Sequence, residues 1–231
     1  MKRIFIISLL LIAATTAVFA QQNRGGAGSS ARGYVSEWDM AATLANIPLG
    51  ELDQAEIDGM LLMREEEKLA RDVYLTLAEM WSIRSFENIA RSEETHMDAM
   101  KSLLDRYDID DPVKSDEVGS FTSPLMQELY DELVGAGDVS YIEALKVGAK
   151  IEELDIADLL GLIDATDNDD IRIVYQNLLK GSRNHLRSFD MQIQKFGGSY
   201  TPEHLSPEEY DRIASSDRET GSLVSDPNYV F

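Results

Sequence analysis

Five ionisable residues stand where apolar ones belong. Glu67, Glu93, His96, Glu152 and His185 each fall inside the apolar stripe of a segment with helical spacing. An unpaired carboxylate buried in a core costs several kcal/mol, so three of them demand compensation. A di- or trivalent cation supplies it, because carboxylate oxygens and neutral imidazole are its natural ligands. Glu93 and His96 sit at i and i+3, on one helix face, so both side chains reach a single ion. The chain has three histidines, and His96 and His185 lie on the stripes of separate long segments. The competing arrangement uses no metal: Glu67 pairs with Arg71 at i+4, and Glu93 with a basic residue of another helix. The protein would then be a structural or partner-binding module. Glu65, Glu94 and Glu153 fall off the stripes and read as solvated charges.

Four long helices must position these groups. The first starts at Asp53, an N-cap with Glu56 at capping-box spacing, and runs to about Met80. Its stripe is Met60, Met63, Glu67, Ala70, Tyr74, Leu77 and Trp81. The short link Ser82 to Arg84 makes the second helix, Ser85 to Arg106, its antiparallel neighbour. That helix presents Phe86, Ile89, Glu93, His96, Met100 and Leu103. From Tyr107 to Ser140 the chain reads as a long crossover. It holds one short helix, opened by Ser123-Pro124, reaching about Val134 and stopped by Gly135-Ala136-Gly137. The third long helix begins near Ser140 and carries Leu145, Ala149, Glu152 and Ile156. Asp155 either continues it or caps a second short helix ending at Leu162. The acidic run Thr166 to Asp170 starts the fourth, which presents Val174, Leu178, Ser182, His185 and Phe189 and ends at Gly197-Gly198. The expected fold is all-α: a four-helix bundle with a long crossover between its second and third helices. Glu67, Glu93, His96, Glu152 and His185 should then converge within the width of a metal pair, about 3.5–4 Å between ions.

Charge and termini narrow the functional classes. The chain of 231 residues has a net charge of −21, which disfavours nucleic acid and anionic lipid and favours cations. Lys2-Arg3, an apolar run from Ile4 to Ala14, and Val18-Phe19-Ala20 form a secretory signal in the usual order. Cleavage after Ala20 is expected, giving a secreted or periplasmic protein with no membrane insertion. The absence of cysteine closes the lipoprotein route and leaves stability to the core or to bound metal. Residues 21–50 read as a flexible leader, with Tyr34 to Gly50 packed loosely, 51–205 as the helical domain and 206–231 as a tail. Helical turns are expected at Thr201-Pro202-Glu203 and Ser206-Pro207-Glu208, with disorder beyond Asp217. No Gly-x-Ser-x-Gly and no His-Glu-x-x-His supports a hydrolase.

The segment Glu67-Lys68-Leu69-Ala70-Arg71-Asp72-Val73-Tyr74 resembles the first ligand helix of rubrerythrins, where a Glu precedes Ala-Arg and a Tyr follows seven residues on. Ser92-Glu93-Glu94-Thr95-His96 is similar to their second ligand helix, and Ala144 to Glu152 to the third. Met63 to Tyr74 together with Gly181-Ser182-Arg183-Asn184-His185-Leu186-Arg187 resembles a ferritin-like family of bacterial and archaeal proteins catalogued as a domain of unknown function. The likeness spans about Leu52 to Leu205. It implies a ferritin-like fold and an iron or manganese site of one or two ions, in which Glu67, Glu93 and Glu152 bridge and His96 and His185 terminate. It further implies metal oxidation, oxygen or peroxide handling, or sequestration, with Tyr74 donating a hydrogen bond or an electron. Ferritin-like domains occur as monomers, dimers and cages, so a homo-oligomer is among the implied forms. One position departs from the pattern: the fourth helix offers Ser182-x-x-His185 where a second Glu-x-x-His is expected. Asp155, one turn beyond Glu152, is the substitute carboxylate if the third helix continues that far.

Overall fold

The apolar stripes become seven α-helices, with no strand among the described residues. The structure, a computed structural model, describes residues 37–221 and 224–229. The expected signal segment, its cleavage point at Ala20, and residues 21–36 lie outside the described residues. The helices are α1 Glu37–Leu44, α2 Gln54–Trp81, α3 Arg84–Arg106, α4 Pro124–Gly137, α5 Tyr141–Ala165, α6 Asp169–Lys195 and α7 Pro207–Ala214. None is long and apolar enough to cross a membrane.

Local chemistry sets the ends. Asp53 caps α2: its carboxylate accepts the Glu56 N–H at 2.9 Å, and Glu56 Oε2 accepts the Asp53 N–H at 3.0 Å. Ser82, at φ 53°, turns the chain out of α2 in the left-handed region. Only Ser82 and Ile83 separate α2 from α3, so the two run antiparallel. Ser140 caps α5, and Glu56 ties the start of α2 to the α5–α6 turn by accepting from Thr166 Oγ1 at 2.5 Å and Asn168 Nδ2 at 2.9 Å.

The long helices pack as two pairs, α2 with α3 and α5 with α6, joined by α2–α5 and α3–α6 contacts. Helix α4 lies against α2 and α5. Fully buried Met60, Leu77, Met100, Leu103, Leu145 and Ile171 fill the space between them. Each such side chain contributes about 1.5–3 kcal/mol of transfer free energy.

Several expectations change. Helix α5 is continuous through Asp155 to Ala165, so there is no second short helix there. Helix α4 runs through Gly135-Ala136-Gly137 rather than stopping before them. The reason is tertiary: the Gly137 carbonyl accepts from Trp81 Nε1 at 2.9 Å, and a Cβ at Gly137 would fall 2.6 Å from Leu77 Cδ2. The glycine permits close approach of α4 to α2. Residues 37–44 form α1, which packs on α3 with Met40 and Leu44 buried.

The tail is docked rather than free. Glu219 is held by Arg183 and Arg187, Asn177 exchanges hydrogen bonds with Val224, and Gln176 donates to the Pro227 carbonyl at 2.9 Å. The described residues beyond Asp217 therefore follow α6. Of the two helical turns expected after Ser199, α7 forms at Ser206-Pro207. Thr201-Pro202-Glu203 does not become helical. Instead the backbone N–H groups of Glu203, His204 and Leu205 all donate to the Glu153 carboxylate at 2.6–3.0 Å. Glu153 is thus fully buried and not a solvated charge.

Candidate metal centre

Glu67 comes from α2, Glu93 and His96 from α3, Glu152 from α5 and His185 from α6. The fold brings all five together. His96 Nδ1 lies 3.1 Å from Glu67 Oε2 and 2.7 Å from Glu93 Oε2. His185 Nδ1 lies 2.8 Å from Glu93 Oε1 and 3.3 Å from Glu152 Oε2. The imidazoles are stacked, with centroids 5.8 Å apart. Glu93 stands between them and gives one oxygen to each.

These residues form two overlapping groups, Glu67–Glu93–His96 and Glu93–Glu152–His185. Within each, one donor atom per residue lies within 4.8 Å of the others, a spacing that can hold an ion. The carboxylates are almost wholly withdrawn from solvent, with Glu67 and Glu152 at 0 % and Glu93 at 1 % exposure, while each histidine keeps 9 %.

The pairing of Glu67 with Arg71 does not occur. Arg71 turns to Asp72 at 2.8 Å and Asp116 at 2.5 Å. Its neighbours Lys68 and Arg64 are also occupied on the outer face of α2. Lys68 bonds Asp72 at 2.5 Å and the Glu117 carbonyl at 3.0 Å, and Arg64 pairs with Asp111 at 2.9 Å. These contacts pin the crossover over α2 and consume the helix's cations. Among the described residues no lysine or arginine therefore pairs with Glu67 or Glu93; their basic neighbours are His96 and His185.

Electrostatics follow from this geometry. Burial alone pushes Glu93 up, but the imidazolium groups of His185 and His96 outweigh it and hold its carboxyl down to about 2. Burial disfavours charge on His185, yet Glu93 and Glu152 raise it to about 10. His96 goes well above its usual range for the same reason, through Glu67 and Glu93. Burial dominates at Glu152 and lifts it to about 7, partly opposed by His185. Glu67 is likewise raised by burial, with His96 opposing. Within the cluster, protons on the imidazoles balance carboxylate charge.

The balance is incomplete at the level of hydrogen bonds. Glu67 Oε1, Glu93 Oε1, Glu152 Oε2 and His185 Nδ1 are buried and make none. Each belongs to a group facing the middle of the cluster. Four orphaned donor atoms of oxygen and imidazole type suit a divalent or trivalent cation of intermediate hardness.

Tyr74 on α2 donates from its hydroxyl to Glu152 Oε1 at 2.6 Å, leaving Oε2 turned toward His185. Burial and the Glu152 charge keep this phenol well above its usual pKa, so it stays protonated. Its ring packs with Phe86 and Phe189 at centroid distances of 5.5 Å each, an apolar wall on that side. Asp155 is buried on α5 but belongs to neither group. Burial, with Glu67 and Glu152 nearby, raises its carboxyl well above the usual carboxylate range. Ser182 is buried one turn before His185, and its hydroxyl donates to the Leu178 carbonyl at 3.2 Å. Sequence periodicity missed Glu66, which is buried and faces Asp158 across the α2–α5 contact; burial first, then Asp158, raises its carboxyl well above the usual range. Its place immediately before Glu67 in a run of three glutamates hid it.

Residues 56–217 match the family described as uncharacterized protein domain (DUF2202). The chain is similar to the uncharacterized protein MJ0754 of Methanocaldococcus jannaschii, with 53% identity over 182 residues, covering 79% of this chain and 98% of that protein. It is also similar to the crystal structure of hypothetical protein MJ0754 from Methanococcus jannaschii, with a TM-score of 0.74 and 55% identity. That match covers 75% of this chain and 99% of that one.

Proposed function

We propose a function for this chain, which belongs to the DUF2202 family: it is an exported ferritin-like four-helix protein that binds two iron or manganese ions at Glu67, Glu93, His96, Glu152 and His185. The observation that carries this reading is the set of buried atoms without hydrogen-bond partners around Glu93, all within two overlapping ligand groups. The two helix pairs α2–α3 and α5–α6 with the long crossover support the ferritin-like arrangement. The order Lys2-Arg3, apolar Ile4 to Ala14 and Val18-Phe19-Ala20 supports export with cleavage after Ala20.

In this reading Glu93 would belong to both ion sites. Glu67 and His96 complete one side, and Glu152 and His185 the other. Bound iron or manganese supplies Lewis acidity and a one-electron couple for metal oxidation or for handling oxygen or peroxide, or is itself the stored cargo. The chain's own residues exclude bulk water and orient Glu152 through the Tyr74 hydroxyl. Ser182 stands where a second Glu-x-x-His would place a further carboxylate, so the centre offers three glutamates rather than four. Asp155, buried beside the cluster with its carboxyl raised by burial, can supply a proton without joining either ligand group. A homo-oligomer is compatible with this reading and is not required by it.

Thermal unfolding tests the proposal. Ferrous or manganous ion at a hundredfold excess over its dissociation constant should add about 2.7 kcal/mol of stability per site. A melting temperature unmoved by any transition metal would leave a metal-free helical module, its carboxylates balanced by the two imidazolium groups.

A further inference from the structure

His96 is clamped between two walls. Its Nδ1 edge faces Glu67 and Glu93 at 3.1 and 2.7 Å. Its other edge faces the backbone of α6 at Gly181. A Cβ built on Gly181 would lie 2.5 Å from His96 Cε1 and closer still to Nε2, and its three nearest neighbours are all atoms of that ring. Non-bonded carbons rest about 3.5–4.0 Å apart, so no side chain fits between the helix and the imidazole. Gly181 is also in the interior of α6, where glycine weakens a helix relative to alanine. Its φ is not positive, so the backbone does not require glycine there. The histidine ring is the remaining reason for it.

We propose that Gly181 is the positioning residue of the His96 ion site. By leaving the Cβ volume empty, it seats the imidazole with Nδ1 at Glu67 and Glu93. This inference rests on the two-ion reading above and names the residue that regulates one half of that centre. Helix α6 then contributes twice: His185 by its side chain, and Gly181 by having none. An added methyl pushes on the far end of a side chain, which yields more readily than the backbone. The ring tilts or rotates, and Nδ1 leaves the carboxylates. The loss falls on the Glu67–Glu93–His96 ion, while Glu93, Glu152 and His185 keep their own.

The experiment compares Gly181→Ala in the wild-type and His96→Ala full-length chains, with Gly135→Ala as the control. Gly135 lies inside α4, and a Cβ there meets nothing within 4 Å. Gly181→Ala should lower the melting temperature of the ion-free wild type. In the His96→Ala background it should instead raise it, as Gly135→Ala does. If Gly181→Ala alone does not fold, recovery of folding on adding His96→Ala carries the same information. Manganous ion titrated into the folded variants should load two ions in the wild type and one in Gly181→Ala. Equal thermal effects in both backgrounds, or an unchanged two-ion titration, would overturn the inference. A wild type that takes up no manganese would overturn the proposed function instead, while the thermal coupling still decides whether Gly181 seats His96.

Discussion

Glu93 Oε1 and His185 Nδ1 lie 2.8 Å apart, yet no hydrogen bond joins them. They face each other as a buried ion pair and leave hydrogen-bonding capacity unused. The other Glu93 oxygen stands 2.7 Å from His96 Nδ1, so one carboxylate is shared by both halves of the centre. Glu93→Gln should therefore abolish loading of both ions, whereas Glu67→Gln should remove only the ion on the His96 side. In the ion-free protein Glu93→Gln strips two imidazolium groups of their common partner. It should cost about 3 kcal/mol, the low end for a broken buried pair, because Glu67 and Glu152 remain. Metal analysis and denaturant melts of both variants read this.

Ser182→Glu completes the missing acid. The position is buried and one turn before His185, the same spacing as Glu93 to His96. With metal present, the variant should hold the His185-side ion more tightly than wild type in a manganous titration. Without metal it buries an extra carboxylate and should melt earlier, typically by a few kcal/mol of stability. A variant equally destabilised with and without metal would place residue 182 outside the centre.

Ion binding should acidify the medium. A coordinating imidazole must be neutral, but in the ion-free centre His185 titrates near 10 and His96 well above its usual range. Both are charged at neutral pH, so loading should release about two protons per chain from the imidazoles. Glu152, near 7, adds a further fraction that shrinks as the pH rises. Affinity should fall as pH falls. A weakly buffered titration with an indicator dye measures the protons, and loading without proton release would contradict the protonated resting state.

The tail should undock in acid. Burial opposes charge on Glu219, but Arg183 and Arg187 prevail and hold its pKa below the ordinary value. A carboxyl lowered on folding contributes stability above the unfolded value of about 4.3, and loses it as pH falls through the lower folded value. Amide exchange in residues 217–221 should therefore accelerate below about pH 4, ahead of the α2 and α3 amides. Simultaneous release of tail and helices would show that the Glu219 contacts do not govern docking.

The sequence spelled out what local periodicity controls. The Asp53–Glu56 box starts α2 where it was expected, and the positions of Glu67, Glu93, His96, Glu152 and His185 on apolar stripes foretold that they meet. What stayed hidden depends on distant chain. Glu153 looked solvated because its three backbone donors at 203–205 come from a loop fifty residues on. Lys68 and Asp72 are buried because the crossover returns over α2, where Gly119 N–H donates to Asp72 at 3.0 Å. The glycines at 135 and 137 read as a stop, and packing against Leu77 and Trp81 overrode that local signal. Tail docking through Arg183, Arg187 and Asn177 was equally non-local.

Two ions sharing Glu93 would be visible directly by anomalous scattering. Crystals of the protein purified without chelators, or soaked in manganous or ferrous ion, should be measured at the manganese and iron absorption edges. The account predicts two anomalous peaks, one bounded by Glu67, Glu93 and His96, the other by Glu93, Glu152 and His185. No anomalous density between these residues after soaking, with both imidazoles hydrogen-bonded directly to the carboxylates, would contradict it.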